Sequence, residues 1–344
     1  MKVSVCITVL NEKKSVVKLI NALLNQSKKP TEVVIVDGGS TDGTIPILSR
    51  LASKNPKIRL LTKKCTRSRG RNIGVNTSKN EIIAITGADC IPSLTWLENL
   101  VEPYDKKSTE VVAGFYEVQA KDYERQINYE RQVNCERQIN WKQKVFAMFL
   151  GVLNEHGPKS FLVSTRSMAF KKSVWKKIGG FSDYGESLVE DAQLTDLLIK
   201  NNINIVKVKT ANVLWMIPED INEFLCKIAI HATWDAKFGT YWNSAKGWST
   251  QNLRAFSITL RYAIGAALFL LGFYRFYTWI FLAILMLFYL YFISKKFKPY
   301  FDAANELCYA TLTYILVDMF VIKGYLTGTI GRWQSTPLDM QVRR

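Results

Sequence analysis

The fold is decided by residues 33–43, which read Val-Val-Ile-Val-Asp-Gly-Gly-Ser-Thr-Asp-Gly. The β-branched run at 33–36 predicts a buried parallel strand, and residues 38–41 predict the loop after it. Open α/β sheets bind ligands at the carboxyl ends of their parallel strands. Asp37 is therefore placed to contact a nucleotide base or ribose, although a single aspartate after a strand is more often a turn or capping residue.

The same pattern occurs twice more. An apolar run at 3–10 ends in Asn11-Glu12, and another at 81–86 ends in Gly87-Ala88-Asp89-Cys90. Helical patterns separate the three runs, which is typical of a βαβ arrangement. We therefore predict an α/β fold with a mostly parallel sheet and one nucleotide site at the ends of three strands.

The composition fits one large domain with an appendage, or two modest domains. The chain has 344 residues, with 46 Lys and Arg against 29 Asp and Glu, a net charge of +17. We expect no nucleic-acid partner, because neither an aromatic RNA-binding motif nor a compact basic reading helix is present. The charge instead indicates attraction to an anionic membrane face and to phosphorylated substrates, with part of the excess simply solvated.

The six cysteines include no Cys-x-x-Cys pair, and the two histidines are far apart, which argues against a zinc site. Cys6 and Cys90 lie in or just after predicted strands, and we expect them to be reduced packing residues of a cytoplasmic domain. Met1-Lys2 leads directly into a strand, so no signal peptide is expected.

Three apolar segments follow residue 252, at 256–273, 276–293 and 307–326. They predict two or three membrane helices, because a span needs about 20 apolar residues. Lys295, Lys296 and Lys298 place the end of the second segment in the cytoplasm by the positive-inside rule. A third span would leave the basic tail outside, so that segment is alternatively re-entrant or interfacial. Asp318 within it is expected to pair with Lys323 or to face a protein groove, with acceptor binding as the alternative.

Residues 219–241 predict an amphipathic helix, with Phe224, Leu225 and Ile228 on its apolar face. It packs either on the catalytic core or at the bilayer interface. Trp234, together with Trp242 and Trp248, suits an aromatic belt at headgroup level.

Six short motifs together resemble the family-2 inverting glycosyltransferases, which have a GT-A fold and use nucleotide-sugar donors. They are Val-Leu-Asn-Glu at 9–12, Asp-Gly-Gly-Ser-Thr-Asp-Gly-Thr at 37–44, Arg-Gly-Arg-Asn-Ile-Gly at 69–74, Gly-Ala-Asp-Cys at 87–90, Ile-Gly-Gly-Phe-Ser at 178–182 and Glu-Asp at 190–191. The resemblance covers about the first 215 residues. It implies a GT-A catalytic domain at 1–215. The apolar and basic segments described above add an interfacial region at 216–252, membrane helices at 253–330 and a basic tail at 331–344.

The resemblance also implies the donor site. Asp89 corresponds to the acidic residue that binds Mn²⁺ or Mg²⁺, whereas Gly87 stands where the family usually has a first aspartate, which leaves a ribose contact in doubt. Of the arginines at 67, 69 and 71, we expect one to bind the donor and the others to be solvated. The donor contacts implied are Val9, Asn11, Glu12, Asp37, Gly39, Ser40, Arg67, Arg71, Ala88 and Asp89.

Asp191, with Glu190 beside it, resembles the family's general base at a helix start. On an already ionised lipid phosphate it would position the acceptor rather than remove a proton. His231 does not match the motif of processive synthases, and we expect it to be a packing or interface residue.

A hexad occurs three times at 123–141, as in Tyr-Glu-Arg-Gln-Ile-Asn, and weakly favours helix. The resemblance implies a membrane-anchored transferase that moves a sugar from a UDP- or GDP-sugar to a polyprenyl phosphate or lipid-linked saccharide. The alternatives are a glycolipid, protein or exported polysaccharide as acceptor, or a catalytically silent scaffold.

Overall fold

The computed structural model describes residues 1–119, 141–149, 163–182, 190–218, 220–238, 250–301 and 303–334. The chain divides into two compact units, the first comprising 1–137 and 150–217 and the second 138–149 and 218–344. The hexad repeat lies outside the described residues except for Trp141, and so do Trp242, Trp248 and the tail from 335 onward.

Eight strands form one sheet in the first unit. In chain order they are β1 Val3–Val9, β2 Glu32–Asp37, β3 Ile58–Thr62, β4 Ile82–Thr86, β5 Cys90–Pro92, β6 Val111–Gln119, β7 Ser167–Lys171 and β8 Ile205–Met216. Their spatial order is β3-β2-β1-β4-β7-β6-β8-β5. The helices described in this unit are α1 Val16–Leu24, α2 Thr44–Lys54, α3 Arg67–Thr77, α4 Trp96–Val101, α6 Lys172–Lys177 and α7 Glu190–Lys200, and a 3-10 helix spans Glu102–Asp105.

The strands β3, β2, β1 and β4 are parallel, with Val9 paired to Asp37 and Cys6 to Ile85. The residues that follow β1, β2 and β4 therefore lie at one edge of the sheet, and the predicted α/β fold is confirmed. β7 runs antiparallel to both β4 and β6, which makes the sheet mixed beyond the four-stranded parallel part.

Apolar residues cover both faces of the sheet, because neighbouring residues of a strand point to opposite faces. Val5 and Ile7 pack with α1 residues such as Leu19 on one face. Cys6 and Val34 pack with Val75 of α3 on the other. This double burial explains why the parallel strands are continuous apolar runs rather than alternating ones.

Gly70 sets the approach of α3 to the sheet. A Cβ atom at Gly70 would lie 2.9 Å from Cγ2 of Thr8, so a larger residue would push the helix outward. Gly74 lies next to Cys6 and Val36 at ordinary contact distance. The helix therefore brings its amino-terminal arginines near the carboxyl end of β1.

The second unit is helical in the described residues. It contains α5 Trp141–Phe149, α8 Ile221–Phe238, α9 Thr250–Leu271, α10 Tyr277–Phe297 and α11 Ala304–Gln334. Phe146 of α5 stacks on Phe224 of α8 at 4.4 Å between ring centroids.

Two glycines of α11 allow close packing against α8. A Cβ atom at Gly324 would lie 2.2 Å from the carbonyl oxygen of Ala229, and one at Gly328 would lie 2.1 Å from that of Thr233. Ala229, Ala232 and Ala236 of α8 therefore pack against α11 inside the second unit. The expectation that α8 packs on the catalytic core or at the bilayer interface stays a prediction. Small residues on both helices make this approach possible.

Of the two alternatives expected for Asp318, pairing with Lys323 is wrong, because Asp318 is buried among the helices and pairs with Arg261. Arg261 Nη2 donates to Asp318 Oδ2, and the Tyr289 hydroxyl donates to the same oxygen at 2.8 Å. A buried carboxylate requires a cation and further donors, and Arg261 of α9 supplies the charge across the helices.

In the part of the chain that the structure describes, two helices are long and apolar enough to cross a membrane, α10 over Tyr277–Phe297 and α11 over Ala304–Gly331. The apolar part of α9, Ala255–Leu271, is shorter. Length and composition alone do not distinguish two spans from three, so the number of spans stays a prediction.

Candidate active site

The loop after β2 is built around Asp37. The backbone N–H groups of Gly39 and Ser40 donate to Asp37 Oδ1 at 2.9 and 2.8 Å, and the Ser40 hydroxyl donates to Oδ2 at 2.7 Å. Gly39 has φ +104°, a conformation that favours glycine. The Asp37 side chain is fully buried and holds the loop, so its role as a base contact stays a prediction.

Asn11 joins the loop after β1 to the loop after β2. Its backbone N–H donates to the Ser40 hydroxyl at 2.8 Å, and its side-chain oxygen accepts from the N–H of Thr41 at 2.8 Å. The N–H of Glu12 donates to the Thr44 hydroxyl at 2.9 Å. Val9 points into the core, and its carbonyl oxygen accepts from the N–H of Gly38 at 2.8 Å. These residues form a rigid rim at the end of β1 and β2.

Asp89 lies in the turn between β4 and β5. The indole N–H of Trp215 donates to Asp89 Oδ2 at 2.8 Å, and the backbone N–H of Met216 donates to the Asp89 carbonyl oxygen at 2.9 Å. The pairing of Cys90 with Trp215 explains this contact, because it places β8 directly beside the turn. Ala88 is half-buried and packs against the sheet core.

The donor set around Asp89 decides how a divalent cation would be held. Among the described residues no group of three or more His, Cys, Asp and Glu side chains could ligate a metal. A protein that offers one carboxylate fits Mg²⁺ or Mn²⁺ when substrate phosphates and water supply the remaining oxygens. Asp89 is a single carboxylate in its turn and fits a site of this kind.

Asp191 is held at the start of α7 by the segment before β7. The Thr165 hydroxyl donates to its Oδ1 at 2.6 Å, and the Ser164 hydroxyl donates to its Oδ2 at 2.9 Å. Arg166 Nη1 lies 3.7 Å from Oδ2. Glu190 is the first residue of α7, and its side chain lies outside the described part of the chain.

Arg166 connects the two candidate carboxylates and was not anticipated from the sequence. It immediately precedes β7, and the pairing of Thr86 with Ser167 places it at the carboxyl end of β4. Its guanidinium carbon lies 4.0 Å from the ring centroid of Trp215 and 5.1 Å from that of Tyr116. The sequence signal for Arg166 was the polar run Ser-Thr-Arg-Ser at 164–167, which leads into the strand β7 that runs opposite to its neighbours.

The charges of this cluster stabilise one another. Burial raises the pKa of Asp191, but the charges of Arg166 and Arg71 and the hydroxyls of Thr165 and Ser164 outweigh it, so the pKa lies below its usual value. Burial lowers the pKa of Arg166, but Asp191 and Asp89 outweigh it and the pKa is raised. Asp191 is therefore ionised at neutral pH and is a weak base, which suits positioning or electrostatic work.

The three arginines of α3 have different surroundings. Arg71 is buried, its guanidinium carbon lies 5.7 Å from the centroid of the Phe181 ring, and its charge acts on Asp191. Arg67 and Arg69 are exposed. Arg71 is thus the arginine that the fold brings to the carboxylates, whereas Arg67 stays a predicted donor contact.

Three comparisons bear on this arrangement. A model described as glycosyl transferase family 2 matches residues 4–177. Glycosyltransferase AglE of Haloferax volcanii is 33% identical over 116 residues, which is 33% of this chain and 38% of that protein. A dolichyl N-acetyl-α-D-glucosaminyl phosphate 3-β-D-2,3-diacetamido-2,3-dideoxy-β-D-glucuronosyltransferase of Methanococcus voltae is 30% identical over 119 residues, 33% of this chain and 37% of that protein. The chain thus spans under two fifths of the length of these relatives.

A solved structure extends the likeness of fold to nearly the whole chain. The mannosyltransferase PcManGT from Pyrobaculum calidifontis, in complex with GDP-Man and Mn²⁺, superimposes with a TM-score of 0.63. The superposition covers 95% of this chain and 86% of that one at 18% sequence identity. At this identity the likeness concerns the fold.

Proposed function

The chain belongs to glycosyl transferase family 2 and has a GT-A-like fold, and from that premise we propose that it is a membrane-anchored inverting glycosyltransferase. It moves a sugar from a UDP- or GDP-sugar to a lipid-linked acceptor, either a polyprenyl phosphate or a lipid-linked saccharide. The observation that carries the proposal is the cluster at the carboxyl edge of the sheet, where Arg166 lies 3.7 Å from Asp191 and over the ring of Trp215, whose indole N–H donates to Asp89.

The donor binds across the ends of β1, β2 and β4. The rim of Asn11 and the Asp37 loop receives the base and ribose, and the diphosphate lies toward Asp89. Asp89 would hold a Mn²⁺ or Mg²⁺ ion, which would supply positive charge to neutralise the leaving diphosphate. Support comes from the neighbour in complex with GDP-Man and Mn²⁺, which shares this fold.

The acceptor displaces the nucleoside diphosphate in one in-line step. The acceptor oxygen forms a bond to the anomeric carbon as the bond from that carbon to the diphosphate oxygen breaks, which inverts the configuration. A phosphate acceptor is already ionised and loses no proton. The lowered pKa of Asp191 fits this case better than an alcohol acceptor, whose proton a weak base removes poorly.

Membrane anchoring is proposed from the apolar helices and the charge. α10 and α11 would cross the bilayer, with α9 as a further span, and the catalytic unit would lie in the cytoplasm. The Methanococcus voltae relative is named for a dolichyl-linked substrate, which supports a lipid-linked acceptor here.

The test is transfer of labelled sugar from a panel of nucleotide-sugars into butanol-extractable lipid. Full-length protein in detergent is supplied with polyprenyl phosphate and either Mn²⁺ or EDTA. We expect labelled lipid with Mn²⁺, and a loss of at least about 100-fold in Asp89→Ala and Asp191→Asn. The exposed Arg50→Gln is the matched control and should retain activity.

The outcomes separate the alternatives. Metal-dependent release of nucleotide without labelled lipid would keep the enzyme and move the acceptor to a glycolipid, protein or polysaccharide. Gly87, in place of a first acidic residue, favours the silent scaffold as the second candidate. Folded protein that neither transfers nor hydrolyses any donor would establish that candidate instead.

A further inference from the structure

The inference concerns Arg166 and starts from how its position is fixed. Ser167, the next residue, is fully buried, and its hydroxyl accepts from the Trp96 indole N–H and donates to the Ala211 carbonyl oxygen, both at 2.9 Å. The start of β7 is thereby attached to α4 and β8. The backbone at Arg166 is consequently held in place by the hydrogen bonds of its neighbour Ser167.

The Arg166 guanidinium lies over two aromatic rings. Its central carbon is 4.0 Å from the ring centroid of Trp215 and 5.1 Å from that of Tyr116. Stacking of this kind orients a guanidinium and leaves the N–H groups around its edge free to donate in its own plane.

Most of those edge donors have no protein acceptor among the described residues. Nη1 donates to the Ser164 hydroxyl at 3.4 Å, and Asp191 Oδ2 lies beyond hydrogen-bond distance at 3.7 Å. The Arg166 side chain is 26% exposed, so part of it is accessible to a ligand from solvent. A fixed fork with open donors matches the geometry of phosphate oxygens.

The surrounding charges make this position useful to an anion. Asp89 and Asp191 are balanced by Arg166 and Arg71, so a phosphate enters a site whose carboxylates are already compensated. Only Asp89 remains as the metal-binding acid of its turn, because Gly87 carries no side chain. The guanidinium of Arg166 would then act beside a metal ion at Asp89, and the two cations would together neutralise an anionic substrate.

Resting on the proposed function, we propose that Arg166 binds phosphate oxygens of the substrate, between Asp89 and Asp191. The phosphate belongs either to the diphosphate of the donor or to the phosphate of the lipid acceptor. Either phosphate would be bound by the same guanidinium donors of Arg166. The two sources are distinguished by whether replacing Arg166 weakens the binding of nucleotide or raises the KM for polyprenyl phosphate.

The experiment compares full-length wild type with Arg166→Gln, Arg166→Lys and the control Arg50→Gln in detergent. The dissociation constants of UDP and GDP are measured by isothermal titration calorimetry in EDTA and in Mg²⁺, and the KM for polyprenyl phosphate by label transfer. We expect Arg166→Gln to raise one of these constants about tenfold or more, with Arg166→Lys intermediate. A higher nucleotide dissociation constant identifies the donor, and a higher KM for polyprenyl phosphate identifies the acceptor.

A purely structural role gives a different result. If Arg166 only orients Asp191, Arg166→Gln lowers kcat and leaves both constants at the wild-type value, and the proposal is overturned. Arg166→Lys keeps the charge and serves as the second variant if Arg166→Gln does not fold. If wild type binds no nucleoside diphosphate and transfers no sugar, the proposed function fails, and the assignment of Arg166 fails with it.

Discussion

At the scale of single residues, the carboxylates at the sheet edge differ in what they contact. Asp37 uses its hydrogen-bonding capacity on its own loop, whereas Asp89 and Asp191 are compensated by arginines and remain half-exposed. A carboxylate that stabilises a loop and one that lies near an arginine can therefore both follow an apolar strand in the sequence, as Asp37 and Asp89 do.

Glu32 shows the structural kind of carboxylate at the opposite end of β2. It accepts from the Ser4 hydroxyl and the Lys79 N–H, both at 2.6 Å, and from Arg59 Nη1 at 3.3 Å. Burial raises its pKa, but these contacts outweigh burial and the pKa lies below its ordinary value. Its contribution to stability is therefore present above the unfolded-state pKa of about 4.3 and is lost as the pH falls through the folded-state pKa.

We expect Glu32→Gln to lower the free energy of unfolding by about 1–2 kcal/mol at pH 7, because the charge-assisted bonds are weakened. The apparent melting temperatures of wild type and variant should converge as the pH falls from about 7 to below about 4. The exposed Glu102→Gln removes the same charge elsewhere on the first unit and is the matched control. A difference between wild type and Glu32→Gln that does not depend on pH would contradict the assigned role of the charge.

At the scale of elements, the close contact between α8 and α11 depends on glycine, which has no side chain, at positions 324 and 328. A Cβ at Gly328 would meet a backbone carbonyl at 2.1 Å, which cannot move without the helix. At Gly331, on the same helix, a Cβ would meet nothing within 4 Å. The two positions therefore separate the effect of packing from the effect of helix propensity.

We expect Gly328→Ala to lower the melting temperature, with a loss of stability of about 1–3 kcal/mol. Gly331→Ala should be neutral or stabilising by up to about 1 kcal/mol, because alanine is the better helix former. Both are measured by thermal unfolding in the same detergent. Equal effects of the two substitutions would show that α8 and α11 do not approach as closely as described.

The ion pair between α9 and α11 is asymmetric in burial. The Arg261 side chain is 39% exposed and that of Asp318 is 1% exposed. Removing the arginine therefore leaves a buried carboxylate without its cation, whereas removing the carboxylate leaves a cation that reaches solvent or headgroups.

We expect Arg261→Met to destabilise the protein by about 3–5 kcal/mol and Asp318→Asn by less. The double variant should recover much of the loss, because the uncompensated charge is gone and the amide oxygen of the new asparagine can still accept from the Tyr289 hydroxyl. Thermal unfolding of all four proteins completes the double-mutant cycle. Strict additivity of the two single effects would refute the coupling.

At the scale of the whole molecule, the parallel part of the fold could be predicted from the sequence. Which side chains meet at the candidate site could be predicted only in part. The β-branched runs at 3–10, 33–36 and 81–86 specify strands because each strand is buried on both faces. Arg166 could not be found in this way, since its place depends on the antiparallel pairing of β7 with β4, which are far apart in the sequence. The Lys323 alternative for Asp318 was wrong for the same reason, because its cation comes from another helix and not from its own.

The placement of α5 has a consequence for how the chain is made. This helix is encoded between two stretches of the first unit, yet its fully buried Phe146 stacks on Phe224 of the second. During synthesis α5 therefore leaves the ribosome before α8 has been made. Phe146 stays without its packing partner until about 70 further residues have been added. A chain shortened to end after β8 would keep α5 but lack those partners, so a single cut does not separate the first unit cleanly from the second.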